Sequence, residues 1–168
     1  MVLAGIFVIG RRGGRYDSTE ASSQNLRGTR LCSVAFEWPN LNGVDFSGAD
    51  LSNARLHAAD LRNSVLAEAR LSHTHLADAR FDGANLWRTQ LDGADLNGAC
   101  FQDAGLAEAD LRGADLSTAL GFRQEEYAKA VVDEYTKPPA NCVPEAALEP
   151  ADVLPCRSFL ARVLAVDT

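Results

Sequence analysis

The sequence predicts an all-β solenoid, a chain wound into stacked coils, and three observations carry that expectation. Leucine or phenylalanine stands at every fifth position from Leu26 to Leu116, nineteen times in succession, until Gly121 breaks the series. A period of five fits neither a helix nor a strand. When sustained, it requires a coil that returns to the same orientation after a fixed number of units. The second observation is a small residue two positions before each large one, as in Ala49, Ala54, Ala59, Ser64, Ala69, Thr74, Ala79, Ala84, Thr89 and Ala94. One large and one small residue facing inward around one outward residue is the alternation of a short extended segment. The third is glycine at the remaining positions, including Gly43, Gly48, Gly83, Gly93, Gly98 and Gly113, where the chain must turn a corner and a permissive backbone is useful. An Ala/Leu-rich helix is excluded, because a five-residue step advances about 500° and smears the leucines around the cylinder.

The runs FSGADLSNARL, LDGADLNGACF and LAEADLRGADL resemble the A-(D/N)-L-x-x motif of the pentapeptide-repeat family over residues 24 to 120. The resemblance implies a right-handed quadrilateral β-helix in which four units make one square coil and the Leu/Phe column fills the axis. Nineteen units then give four to five coils, about 20 to 25 Å of rod at the usual strand spacing. The expected core column includes Leu51, Leu56, Leu61, Leu66, Leu71, Leu76, Phe81, Leu86, Leu91, Leu96, Phe101, Leu106 and Leu111. Gln24, Thr29, Val34, Pro39 and Val44 replace the small inward residue in the earliest units. A distorted first coil is therefore expected, with Trp38-Pro39 at a bulged corner.

Four segments follow from this register. Residues 1–24 form an apolar N-terminal segment and polar linker, 25–120 the repeat β-helix, 121–137 a short C-terminal α-helical cap, and 138–168 a Pro-rich tail with a terminal helix. An open coil end exposes core leucines and unpaired backbone, so it needs covering. Phe122, Tyr127, Ala130 and Val131 have helical spacing, with Glu125 and Glu126 early and Pro138-Pro139 as a stop. This stretch also resembles the short helix and D-x-x-T-x-x-P tail that close many members of the family. Phe159, Leu160, Val163 and Leu164 make a last amphipathic helix that packs on the rod or contacts a second copy. Met1 to Gly10 is apolar but too short to span a bilayer. It is expected to pack over the first coil. The alternative is a remnant of a membrane anchor, with Arg11, Arg12 and Arg15 on the cytoplasmic side.

A net charge of −7 and a pI near 4.9 argue against direct nucleic-acid binding and weakly favour basic partners. Four cysteines lack metal-ligand spacing. Cys32 and Cys100 are separated by more than three coils, roughly 15 Å, too far for a disulfide. Cys142 with Cys156 is the pairing left open, and a bridge there would indicate an oxidising compartment. The cytoplasm is the expected location, with membrane-associated and extracytoplasmic sites as alternatives.

Catalysis needs groups converging on a concave site, whereas side chains on a square solenoid radiate from flat faces. The sequence holds no nucleophile, base and oxyanion pattern, so a non-catalytic chain without cofactors or a metal is expected. Asp50, Asp60, Asp95, Asp110 and Asp115 precede core leucines and are read as surface groups with corner hydrogen bonds. His57, His73 and His75 are read as solvated, although His57 and His75 share a face in adjacent coils. Trp38 and Trp87 stand outside the core column, and an exposed Trp marks a binding hot spot.

The favoured function is a protein-protein interaction scaffold for a partner of unknown identity, with Trp87, Arg88, Arg70 and Asp92 as contacts, acting as a monomer or as a homodimer through one end of the rod. Family resemblance supplies an alternative: some members are dimeric acidic rods that imitate B-DNA and bind a type II topoisomerase. The mimic face would comprise Asp92, Asp95, Asp103, Glu108, Asp110 and Asp115. Residues 24 to 88 carry seven acids and seven arginines, whereas residues 89 to 118 carry those six acids against Arg112 alone. Imitating a duplex over such a rod takes on the order of a dozen negative charges. A third alternative is the soluble part of a membrane-associated accessory protein.

Overall fold

A computed structural model of the chain, describing residues 25–36 and 39–140, shows why the repeat is five residues long. In the unit from Asp50 to Ala54 every amide has a partner, as buried backbone requires. Asp50 N–H donates to the Thr29 carbonyl of the coil before at 2.8 Å, and Leu51 N–H to the Arg70 carbonyl of the coil after at 2.8 Å. Asn53 N–H donates to the Ser72 carbonyl at 3.0 Å, while Ala54 N–H turns back to the Leu51 carbonyl at 3.0 Å. The remaining amide, on Ser52, is taken by Asp50 Oδ1 at 3.1 Å. The Asp or Asn of the motif is thus an Asx turn that satisfies the corner. Asp60, Asp95, Asp110 and Asp115 accept the equivalent amide, as do Asn40 and Asn85.

The third residue of each described corner from Gly28 to Gly113 is left-handed, with φ of 58° at Asn53, 53° at Ala58 and 66° at Gly113. Positive φ at that place is the signature of a type II turn, for which Gly and Asn are best suited.

Parallel bridges join residues twenty apart, four to a coil. The first ladder runs Asn25, Asp45, Val65, Asn85, Gly105; the second Arg30, Asp50, Arg70, Gln90, Asp110; the third Ala35, Arg55, His75, Asp95, Asp115; the fourth Asn40, Asp60, Arg80, Cys100, Leu120. The fold is a right-handed quadrilateral β-helix of just under five coils. All thirteen expected core residues from Leu51 to Leu111 are buried, together with the Ala column beside them. Polar members of that column are satisfied through backbone: Ser64 Oγ donates to the Leu61 carbonyl at 2.7 Å, Thr74 Oγ1 to Leu51 at 3.0 Å and Thr89 Oγ1 to Leu66 at 2.8 Å.

Two expectations are corrected. The first coil is not distorted in register: Asn25, Arg30, Ala35 and Asn40 pair at the same twenty-residue offset as every later coil. Val44 is fully buried and Pro39 is buried too, so these larger residues fit the small inward slot. Glu37 and Trp38 themselves lie outside the described residues, as do the N-terminal segment 1–24 and the final amphipathic helix expected at 159–164.

The second correction concerns the cap. Helix α1 (Gln124–Tyr127) is a single turn, and the chain beyond it returns to the rod in extended form. Val131 bridges Asp110 and Lys137 bridges Asp115, at offsets grown by one and two residues: Gly121 inserts a step before Phe122, and a second extra residue lies between Val131 and Lys137. Val131 N–H donates to the Ala109 carbonyl and the Val131 carbonyl accepts Leu111 N–H, each at 2.8 Å. The unpaired edge of the last full coil outweighs helical spacing, and the β-branched pair Val131-Val132 suits that extended role. Phe122 extends the aromatic stack of Phe81 and Phe101, with ring centroids 4.9 and 4.4 Å apart, and Tyr127 closes it edge-on at 6.1 Å.

Candidate partner-binding site

Trp87 follows core Leu86 and therefore occupies a corner, where its side chain projects from the rod. It is 37% exposed, and among the described residues it is the only exposed large apolar side chain on the body of the rod; Val131, Val132 and Tyr135 belong to the cap. Its amide is held by Asn85 Oδ1 at 3.1 Å. Arg88, the left-handed corner residue at φ 53°, lays its guanidinium 4.4 Å from the indole centroid. A contact of that kind contributes about 0.5–1 kcal/mol at an exposed site. One coil further, Glu108 accepts Arg88 Nε–H at 2.7 Å. The Arg88 hydrogen bond, with a smaller contribution from Trp87, holds the Glu108 carboxyl below its ordinary range.

The register brings the four expected contact residues around one side. Trp87 and Arg88 form its leading corner, Arg70 pairs with Gln90 in the second ladder, and Asp92 stands at its trailing corner. Arg70 is exposed. Asp92 accepts Ser72 Oγ–H at 2.6 Å. Sequence reasoning did not find the Arg88–Glu108 pair, although their twenty-residue separation is its signal.

The six acids read as one mimic face are dispersed, which corrects that expectation. Asp95 and Asp115 lie on the third ladder and Asp110 on the second, while Asp92, Glu108 and Asp103 occupy three different corners. Consecutive units fill successive sides of the square, so acids close in sequence point in different directions. Most are also paired with cations: Glu108 with Arg88, Asp110 with Arg112 at 2.5 Å, Asp115 with Lys137 at 2.7 Å, and Asp103 with Arg123 at 3.8 Å. The Lys137 hydrogen bond, reinforced by Ser117, lowers the Asp115 carboxyl to about 2. Arg112 likewise depresses Asp110 and is itself raised by it.

Among the described residues no group of three or more His, Cys, Asp or Glu side chains is placed to hold a metal, His57, His73 and His75 included. Cys32 is exposed at a corner and Cys100 is buried on the fourth ladder. Cys142 and Cys156 lie outside the described residues. No helix among the described residues is long and apolar enough to cross a membrane.

No protein of curated function matches the chain by sequence. The family model for pentapeptide repeats matches in eight copies, over residues 29–66, 59–98 and 69–106. Among solved structures, the chain is similar to HetL, a pentapeptide repeat protein involved in heterocyst differentiation regulation from the cyanobacterium Nostoc sp. strain PCC 7120, with 30% identity over 70% of this chain and a TM-score of 0.49. The chain spans 44% of the length of HetL. A pentapeptide repeat protein from the Arabidopsis thaliana thylakoid lumen is 25% identical, covering 60% of this chain and 73% of that one, at a TM-score of 0.47. A second Nostoc pentapeptide repeat protein is 32% identical, covering 79% of this chain and 93% of that one, at a TM-score of 0.32. With the five-residue motif, its Asx-turn corners and the repeated model match in agreement, the chain belongs to the pentapeptide repeat family.

Proposed function

We propose that the chain is a non-catalytic scaffold that presents its flat β sides to a protein partner, with Trp87, Arg88, Arg70 and Asp92 around the contact side. The exposure of Trp87 on a rod body otherwise covered by short, polar and charged side chains carries this reading. Trp and Arg are among the residue types most enriched at the anchoring positions of interfaces. Outward side chains diverge from a square rod, which suits contact and not chemistry. The topoisomerase reading loses support from the dispersal and pairing of the six acids, because a duplex mimic needs unopposed charge along one surface. The proposal places the chain in the cytoplasm, where fractionation of native cells would find it.

The test is affinity capture of the tagged full-length chain and its Trp87→Ala variant from native extract, at low and high salt. A partner retained at high salt by the parent chain, and reduced about tenfold or more in the variant, is expected for a hot spot. Equal recovery by both proteins would remove Trp87 from the interface. Salt-sensitive recovery of a DNA-binding enzyme would return mimicry to first place. Matching circular dichroism spectra of the two proteins ensure that the comparison reads binding.

A further inference from the structure

We infer that Asp133 and Glu126 lock the C-terminal edge of the rod against a second copy of this chain, whose first coil offers the matching edge.

In the interior, the amide of each core residue donates to the bridging carbonyl of the next coil: Leu31 to Asp50, Leu51 to Arg70, Leu86 to Gly105. Corner amides do the same, as in Gly93 to Arg112 at 2.9 Å. The last full coil has no further coil to receive them. Its amides on Leu111 and Leu116 reach the backbone of the returning cap at Val131 and Lys137. Two others are met by side-chain oxygens standing where carbonyls would be: Leu106 N–H by Glu126 Oε2 at 3.2 Å and Gly113 N–H by Asp133 Oδ1 at 3.0 Å. Asp133 also gathers the cap onto itself, accepting Tyr135 N–H at 3.1 Å and Thr136 N–H at 3.0 Å, while its own amide donates to Thr136 Oγ1 at 3.1 Å. Without Asp133, Gly113 N–H loses its acceptor and the 133–136 turn loses its internal brace, which loosens the segment whose Val131 and Lys137 carbonyls receive Leu111 and Leu116.

At the other end, Asn25, Arg30, Ala35 and Asn40 begin the four ladders. The pattern that gives Leu31 N–H to Asp50, and Asp50 N–H to the Thr29 carbonyl, aims both the carbonyls and the amides of these first-coil residues out of the N-terminal end. The carbonyls are the acceptors that an uncapped C-terminal edge lacks, in the same square spacing. Such head-to-tail contact does not close on itself and adds copies in one direction.

The test compares the full-length parent chain with the Asp133→Ala/Glu126→Ala variant by sedimentation velocity over a concentration series, with circular dichroism to follow the β fold. The parent is expected to keep the same mass across the series, whereas the variant's weight-average mass should rise at least about twofold. Adding Ala35→Pro, which removes an amide aimed out of the first coil, should restore the parent behaviour. A folded variant whose mass stays at the parent value would overturn the lock, and association that persists with Ala35→Pro would overturn the head-to-tail geometry. Should the double variant lose its β spectrum, Thr136→Ala, which cuts the same loop's second tie, is read by the same criteria.

Discussion

Gly93 and Gly113 occupy equivalent corners one coil apart, yet the first gives its amide to the Arg112 carbonyl and the second to the Asp133 carboxylate. Interior coils close with backbone, which every residue type supplies, so their outer positions are free to vary among Asp, Arg, His, Gln and Val, as the ladders do. The cap closes with particular side chains, and its stability depends on their identity and ionisation. The pairing of amides from coil to coil is therefore indifferent to side-chain identity in mid-rod, and sensitive to it and to ionisation at the end.

The largest expected effect breaks the interior itself. Leu76→Asp places a carboxylate in the apolar axis, where the native leucine is fully buried, and should cost about 4 kcal/mol or more. Thermal melting followed by circular dichroism should show the transition lowered by roughly 15 °C or abolished; unchanged melting would reject the five-residue register. Next comes a pair of glycine substitutions. A Cβ at Gly121, φ +74°, would lie 2.7 Å from the Gln102 backbone nitrogen, whereas at Gly113, φ +66°, it meets only the Gly93 nitrogen at 3.9 Å. Gly121→Ala should cost about 3 kcal/mol and Gly113→Ala about 1, the second reflecting backbone strain alone. Equal melting losses would mean that the step before Phe122 is not tightly constrained.

Acid sharpens the comparison further. Gly113 N–H lowers the Asp133 carboxyl, Lys129 lowers Glu126, and Lys137 brings Asp115 to about 2. Folded values below the unfolded ones mean that this stability is present above the ordinary carboxylate range, near pH 4, and is lost as pH falls toward about 2. Hydrogen exchange should show protection of Gly113 and Leu106 falling over that window before that of Gly93 and Leu86. Uniform loss along the rod would contradict the division. The smallest effect concerns a corner: Ala58→Gly relieves a φ of 53° and should raise stability by about 0.5 kcal/mol after the added freedom of the unfolded chain is set against it.

The Leu/Phe column, the Ala beside it and the corner glycines could be read from the sequence because each repeats at one fixed interval and each has one physical role. The cap was legible in place but not in form. Phe122, Tyr127, Ala130 and Val131 have helical spacing, yet Val131 and Lys137 are drawn to the unpaired amides of Leu111 and Leu116, a demand written elsewhere in the chain. The acids from Asp92 to Asp115 misled for a related reason: counting charge along a sequence says nothing about which side of a square each one faces. Trp87 was recognisable as outward from its position after Leu86. Its engagement with Arg88 and Glu108 depends on neighbours one and twenty-one residues away, the second visible only when the coil length is known.

The twenty-residue coil makes residue number an angular coordinate. Each unit advances the chain by a quarter turn, so deleting one whole unit upstream of Trp87 would leave the apolar axis filled and every corner amide still within reach of a partner. All that follows would be rotated by about 90° relative to the first coils. Trp87 would then look out from an adjacent corner, on a rod that melts almost as before. Length changes in such a chain alter the direction of recognition before they alter the fold, and only a loss or gain of a full coil returns each side chain to its bearing.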